Sequence, residues 1–521
     1  MNFNNPNDIV KDLSFKKKAR KKIMDGVSKL AKAVSSTLGA SGKCVIYEDT
    51  MGRPVITKDG VTVAESVVLI DPVENIGATL IKEAASNTVE EAGDGTTTAI
   101  VLAHSILKEY NDYDGYEDIR RIQKGIDFSL EKVLEYLDDI KIPANEQLIK
   151  YVARISCNND TELGNLIADA YSKVGKNGVV LMETSETEQD HIEIVDGVEL
   201  SDCKLKSPHL ITDKDNHKAI LEDPYILIVN SPIQNVRKIQ SILEFIIKSK
   251  KSLLVIAELE QQPFATLLMN KVKGNIKVNI IDVPGFGPSK RDTLEDLSLL
   301  TGAQIIDEEL GDDMDMISPD VLGKANKAVT DKKSTILTVD KNPKLFKERI
   351  KTVEKKIKET KDKFWKSLHQ KRLAMLSGLV GIIKVGAYSQ VELKEKKSRV
   401  EDALYATKAA IEEGIVPGGG VALLNAAERI EYNKGAGESI LINAIQSPFL
   451  KVLENANMLE KSKETYKEGF GIDVTCGCRK NMVKAGIIDP LLVTKSALKN
   501  AVSVAKTIIS ANCVISNVRE E

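Results

Sequence analysis

Apolar side chains recur three and four positions apart through most of residues 15–139. Ile23, Val27, Leu30, Ala31 and Val34 form one such stripe, and the spacing predicts long amphipathic helices. Two short runs interrupt the pattern, Cys44-Val45-Ile46-Tyr47 and Pro54-Val55-Ile56-Thr57, and both read as strands. Pro143 follows a helix whose last turns carry Leu134, Tyr136 and Leu137, which marks a boundary. Between residues 196 and 380 the texture changes. Tyr225–Val229, Leu253–Ala257 and Val278–Val283 are β-branched or aliphatic runs, separated by helical patterns at 235–249 and 262–273. This βαβαβ order predicts a sheet with parallel pairing, ending in the loop Pro284-Gly285-Phe286-Gly287-Pro288. A charged helix is expected at 343–374, with Phe346, Ile350, Val353, Ile357, Phe364 and Leu368 on one face and a lysine-rich, solvated remainder. After Gly381 long helices return, broken by the turn Gly418-Gly419-Gly420 and ending in a helix from Val493 to Ile509. Helical ends around a different middle imply a middle inserted into a domain built from both termini.

At 521 residues the chain is too long for a single hydrophobic core. Its 42% hydrophobic and 29% charged residues are ordinary for a soluble globular protein. A net charge of −3 and only 4% aromatic residues argue against nucleic acid or an anionic membrane as partner. No apolar run approaches ~20 residues and the first residues hold no apolar leader, so a soluble, cytoplasmic protein is expected. The six cysteines are scattered. Cys476 and Cys478 make a C-x-C with no second pair or nearby His to complete a zinc set, so reduced thiols are expected.

The segment Ala92-Gly93-Asp94-Gly95-Thr96-Thr97-Thr98-Ala99 carries the most chemistry. Glycines allow positive φ and close approach, and the helix that follows presents unpaired N–H groups at the positive end of its dipole. Such a start cradles phosphate, and Asp94 offers the hard oxygen that Mg²⁺ prefers. The simpler reading is a turn with a threonine N-cap. Four further segments are polar within apolar surroundings: Thr37-Leu38-Gly39-Ala40-Ser41-Gly42-Lys43, Ile56-Thr57-Lys58-Asp59-Gly60-Val61, Arg399-Val400-Glu401-Asp402 with the downstream Glu412-Glu413-Gly414 and Gly418-Gly419-Gly420, and Gly486-Ile487-Ile488-Asp489-Pro490. Asp59 reads alone as a turn residue, and Asp402 as a carboxylate at the start of a helix. None of these segments matches a Walker A or G-x-G-x-x-G pattern.

Taken in this order and spacing, the segments resemble the group I chaperonins, the Hsp60/GroEL family, over nearly the whole chain. The resemblance implies a multidomain α and α/β fold. A mainly helical equatorial ATPase domain would comprise 1–139 and 413–521, a small intermediate domain 140–195 and 381–412, and an inserted α/β apical domain 196–380. It implies ATP, Mg²⁺ and K⁺ as cofactors. Asp94 would hold Mg²⁺, and Gly95, Thr96, Thr97 and Thr98 would cradle the phosphates. Thr37, Leu38, Gly39 and Ala40 would line the nucleotide, while Thr37 and Lys58 would give backbone oxygens to K⁺. Gly419 would pack on the nucleoside, Asp473 would lie near the adenine and Asp489 would bind the ribose. Asp59 and Asp402 would position or deprotonate the attacking water, with Asp402 carried in by movement of the intermediate domain. Implied partners are unfolded client proteins, a co-chaperonin lid of the Hsp10/GroES kind, and copies of the chain itself in a ring of seven or a double ring of fourteen.

The chain departs from that pattern in places. Ala40 replaces a usual Pro, and Asp473-Val474 replaces Asn-Ala. The aromatic client-binding strand is replaced by Asp202-Cys203-Lys204-Leu205-Lys206-Ser207-Pro208-His209-Leu210, and Gln240 stands for a Leu while Leu243, Phe264, Leu268 and Met269 keep an apolar face. Asp202 and Gln390 replace an Arg–Glu pair between neighbouring apical domains, and the Gly-Gly-Met tail is absent from 516–521. Each large side chain lost from an apolar groove forfeits about 1.5–3 kcal/mol of burial. The alternative expectation is therefore a specialised paralogue that keeps the ATPase but has a restricted client-binding or regulatory role.

Overall fold

The computed structural model describes residues 11–517 except 158–159, 176–178, 186, 201–202, 215, 285–287, 315–316, 340–342, 360–361, 363–364, 366–368, 370–371, 374–375, 377–378, 434 and 464–466. The chain divides into two compact units, residues 1–168 with 389–521, and residues 169–388.

The first unit is helical. Helices Lys16–Ser35, Pro72–Ala92, Thr96–Asp112, Ile119–Asp139 and Leu491–Ser510 pack around a core that includes Leu30, Ile81, Ile100, Ile126, Leu137 and Leu498. The stripe Ile23, Val27, Leu30, Ala31 and Val34 is buried throughout, as its spacing requires. Strands Val45–Glu48 and Pro54–Thr57 lie at the two runs read as strands and pair antiparallel as a hairpin. Strand Lys11–Phe15 pairs antiparallel with Cys513–Asn517, with Leu13 opposite Ile515, so the two ends of the described chain close one ladder.

The second unit holds two sheets. Tyr225–Val229, Ser252–Ile256 and Lys277–Ile281 pair in parallel as the βαβαβ pattern predicts, and Ile305–Ile306 and Gly323–Lys324 flank the first of them. The other sheet runs Val179–Thr184, Leu379–Val385, His191–Leu200, Thr335–Thr338, Lys327–Thr330 and Ala219–Glu222 in space. The expected helix at 235–249 begins instead as a tight 3₁₀ turn, Val236–Ile239, because Asn235 caps Arg237 N–H and delays the α-helix until Gln240–Ser249. Of the charged helix expected at 343–374, Pro343–Glu359 is helical, while Phe364 and Leu368 lie outside the described residues. A buried ionic network ties this stretch down. Asp296, fully buried, accepts from Arg349 Nε at 2.5 Å and Arg372 Nε at 2.7 Å, and Arg372 also pairs with Asp292. Residues 169–195 and 381–388, expected with the intermediate segment, fall in this second unit. Among the described residues no helix is long and apolar enough to cross a membrane.

Candidate functional site

Helix Pro72–Ala92 stops because Gly93 takes a left-handed conformation, φ 78°. Two residues later Gly95, φ 98°, opens helix Thr96–Asp112 with no side chain capping it. The expected threonine cap is therefore absent: the cap is a glycine, which has no oxygen to offer, and the first helical hydrogen bond to it comes from Ala99 N–H. The turn is walled on both sides. A Cβ on Gly93 would lie 2.2 Å from Tyr405 Cβ, and one on Gly95 2.8 Å from Val493 Cγ1. Asp94 stands between them, its Oδ1 accepting the Gly95 N–H at 2.5 Å.

Three separated segments meet at this turn. Asp59 caps helix Gly60–Ser66, accepting from Val61 N–H at 3.1 Å and from Thr62 N–H and hydroxyl at 2.8 and 2.6 Å. The turn role expected for Asp59 is thus real, yet its charge also reaches the other carboxylates. Gly60 is pressed against Thr97, whose Oγ1 would sit 2.2 Å from an added Cβ. Asp402 is not at the start of a helix as its sequence context suggested. Helix Gln390–Glu413 begins twelve residues earlier, after its cap Ser389, whose side chain accepts Glu392 N–H. A mid-helix carboxylate satisfies no cap and gains little from the dipole, so the bland explanation of Asp402 fails.

The electrostatics follow from that crowding. Burial raises the Asp402 carboxyl well above the ordinary carboxylate range, and the charges of Asp94, Asp59 and Glu401 raise it further. Asp94 is raised by burial and by Asp59, against the opposing Gly95 N–H. Asp402 lies in the same compact unit as Asp59 and Asp94, and the charges of those two reach it. Among the described residues no group of three His, Cys, Asp or Glu can hold a metal unaided. A hard cation fits here as Asp94 plus oxygens brought by a phosphate ligand, which is how Mg²⁺ binds at phosphoryl sites. The buried, raised carboxyls of Asp94 and Asp402 beside an uncapped helix start favour such a cation–anion pair over either alone.

Asp489 joins the cluster from the other side. Strand Ile488–Pro490 pairs with Ile415–Pro417, and the Asp489 carboxylate accepts N–H groups of Gly419 and Gly420. Burial first, then the Asp94 charge, push it up to about 7. Thr37 lies at the end of helix Lys16–Ser35, with its hydroxyl donating to Val34 O at 2.8 Å; Val34 Cγ1 in turn lies 3.6 Å from a Cβ built on Gly60. Half-buried Leu38 and exposed Gly39 and Ala40 continue that turn, and Lys58 is exposed beside Asp59. Asp473 stands apart. Burial would raise its carboxyl, but Lys480 Nζ at 2.8 Å and Thr475 Oγ1 at 2.6 Å hold it at about 2 within its own hairpin.

The family model described as TCP-1/cpn60 chaperonin matches residues 30–519. The chain belongs to this chaperonin family. The fold is also that of a solved relative, the chaperonin gp146 from the bacteriophage EL 2 (Pseudomonas aeruginosa). One crystal form, in the presence of ATP-BeFx, superposes with a TM-score of 0.72 at 21% identity, covering 98% of this chain and 99% of that one. A second form gives 0.66 at 22% identity with the same coverage.

Sequence reasoning missed three residues that build this chaperonin's site. Asn455 Nδ2 donates to both Ser35 O and Leu38 O at 2.9 Å, clamping the Thr37 turn from 417 residues away. Tyr405 fills the space beside Gly93, and Thr62 shares Asp59. No local signal marks any of them, since each acts on a segment distant in sequence or through one ordinary hydroxyl. At the altered apical stretch Asp202 lies outside the described residues, as does the side chain of Gln390. Lys206 pairs with Asp282 at 2.5 Å and Gln240 Nε2 donates to Glu244 at 2.8 Å. Phe264 and Leu268 pack onto the core of their unit, which leaves Met269 as the exposed member of that apolar face.

Proposed function

We propose that this chain is the subunit of an ATP-driven chaperonin, and the observation that carries the reading is the meeting of Asp59, Asp94 and Asp402 at the uncapped start of helix Thr96–Asp112. Phosphoryl transfer asks little covalent chemistry of a protein; it needs a phosphate cradle, charge neutralisation and an oriented water. Gly95, Thr96, Thr97 and Thr98 supply the cradle, and Asp94 would hold Mg²⁺, which when bound neutralises phosphate charge. Asp59 and Asp402 orient the attacking water and accept its proton. Thr37, Leu38, Gly39 and Ala40 line the nucleotide, Thr37 and Lys58 give K⁺ their backbone oxygens, and Gly419 and Asp489 face the nucleoside, with Asp473 on the adenine side. The gp146 structure obtained in presence of ATP-BeFx supports nucleotide binding in the same fold.

The family supports ring assembly, as seven or fourteen copies, and unfolded clients captured on helices Gln240–Ser249 and Gln261–Val272, with a co-chaperonin lid and a cytoplasmic setting. The three-domain division at 139/140, 195/196, 380/381 and 412/413 belongs to the same reading. The decisive assay is steady-state ATP turnover with and without Mg²⁺ and K⁺. Asp402→Ala should lower kcat by about 10²–10⁴, the worth of a positioned base, while nucleotide still binds. Unchanged turnover in Asp402→Ala, or failure of the wild-type protein to bind ATP, refutes the assignment.

A further inference from the structure

Cys476 and Cys478 flank Gly477 at the tip of the hairpin formed by Phe470–Asp473 and Cys478–Asn481. Both thiols are free and exposed. The tip is curled tightly: Gly477 adopts φ 65°, and its N–H and that of Cys476 both donate to Asp473 O, at 2.8 and 3.3 Å. Cys478 Sγ lies 3.3 Å from the Cys476 carbonyl oxygen, so its thiol leans back over the turn toward Cys476. Across such a turn two Cα atoms separated by one residue stand on the order of 5–6 Å apart, within the range a disulfide spans.

Although Asp473 itself is held within the hairpin, the hairpin packs against the glycine turn at 418–420. Below the tip, the Asp473 carboxylate holds Thr475 and Lys480, and Lys461 donates to the Gly477 carbonyl. Met482, which follows the second strand, lies under the glycine turn, with its Cε 3.4 Å from a Cβ built on Gly419. Ile472 and Met482 share one core cluster with Val421, the first residue of the helix that the turn opens. A change of backbone shape at the tip is therefore carried by two paired strands to Gly419 and Gly420, whose N–H groups hold Asp489.

We propose that Cys476 and Cys478 form a dithiol modification site for low-molecular-weight disulfides, and that closing it weakens nucleotide binding at the adjoining Gly418–Gly420 turn. The second half rests on the ATP-binding reading above. One protein thiolate attacks the external disulfide, forming a mixed disulfide and releasing one small thiolate. The second protein thiolate then attacks the protein-side sulfur, and the other small thiolate leaves. The two protein thiols are oxidised to one disulfide, the external disulfide is reduced to two thiols, and the two protons pass to the released thiolates. Closure draws the two sulfurs to bonding distance, which pulls the tip away from Asp473 O. A bond strained in this way is readily reduced again, so the site stays open in a reducing pool and closes as that pool is oxidised.

The test uses full-length protein titrated with oxidised glutathione, followed by intact and peptide mass spectrometry under non-reducing conditions. Wild type should lose two hydrogens and give one peptide closed between Cys476 and Cys478. Cys476→Ser and Cys478→Ser should each retain one glutathione adduct instead. Fluorescent ATP-analogue affinity should then fall in oxidised wild type by about fivefold or more, the low end of ordinary coupling between sites, and recover with dithiothreitol. Absence of closure, or a disulfide between subunits, overturns the site. Closure with unaltered affinity overturns the link to the nucleotide. If reduced wild type binds no nucleotide, the functional assignment falls, and the dithiol site is decided by the mass data alone.

Discussion

Replacing Asp489 with Asn should make the nucleotide-free protein more stable, and more so as pH rises. The carboxyl of Asp489 is held up to about 7 by burial and by Asp94, whereas an unfolded chain ionises it near 3.9. Between those values the folded state keeps a proton that the unfolded state has released, so stability falls as pH rises through that window and levels off above it. Each unit of separation is worth about 1.4 kcal/mol, giving a ceiling of about 4 kcal/mol; the carboxylate is not wholly shut off from water, so about 1–3 kcal/mol is expected. Asn keeps the shape and one oxygen for the Gly419 and Gly420 N–H groups while removing the charge. The assay is guanidinium unfolding of wild type and Asp489→Asn without nucleotide, at about pH 5 and about pH 8, read as ΔG of unfolding. The variant's advantage should widen by about 1–2 kcal/mol between the two conditions. An identical gap at both pH values, or a less stable variant at the higher one, refutes the buried-charge account of Asp489.

Gly93→Ala combines a left-handed backbone with a Cβ driven into Tyr405, and should cost about 2–5 kcal/mol in the thermal or denaturant transition of the first unit. A loss below ~0.5 kcal/mol would show that the Tyr405 helix gives way freely. Arg372→Met removes one of two cations from fully buried Asp296 and should destabilise by about 3–5 kcal/mol, with partial rescue by Asp292→Asn; denaturant melts of the single and double variants check it. Asn455→Ala removes the amide from the Leu38 carbonyl and leaves that of Ser35 with the Leu38 N–H alone, which should cost about 1–3 kcal/mol and raise the Kd for ATP measured by calorimetry.

The helical ends, the parallel βαβ middle and the phosphate-cradle segment were legible in the chain because their signals are local. Periodicity at Ile23–Val34 demands one buried face, and the glycines of Gly93-Asp94-Gly95 permit the positive φ that the turn uses. The place of Asp402 was misread because Arg399-Val400-Glu401-Asp402 reads as a helix start, while Ser389 had already capped the helix. Asn455 and Tyr405 were invisible for the opposite reason: nothing in their neighbourhood distinguishes them from surface Asn and core Tyr.

What the sequence determined by itself was the set of elements, the family and the residue types able to handle phosphate. Hydrogen-bonding capacity, backbone freedom and side-chain periodicity are properties of short segments, and they survive without a fold. Only the tertiary structure decided which of those residues share a space. Asp59, Asp94, Asp402 and Asp489 are spread over 430 positions, and the raised protonation of Asp94, Asp402 and Asp489 exists because they are buried and share one place with other carboxylates. Asp473, equally acidic in the sequence, is lowered to about 2 because Lys480 faces it across two strands. Coulombic coupling and desolvation depend on distance and surroundings, and neither is written in the order of residues.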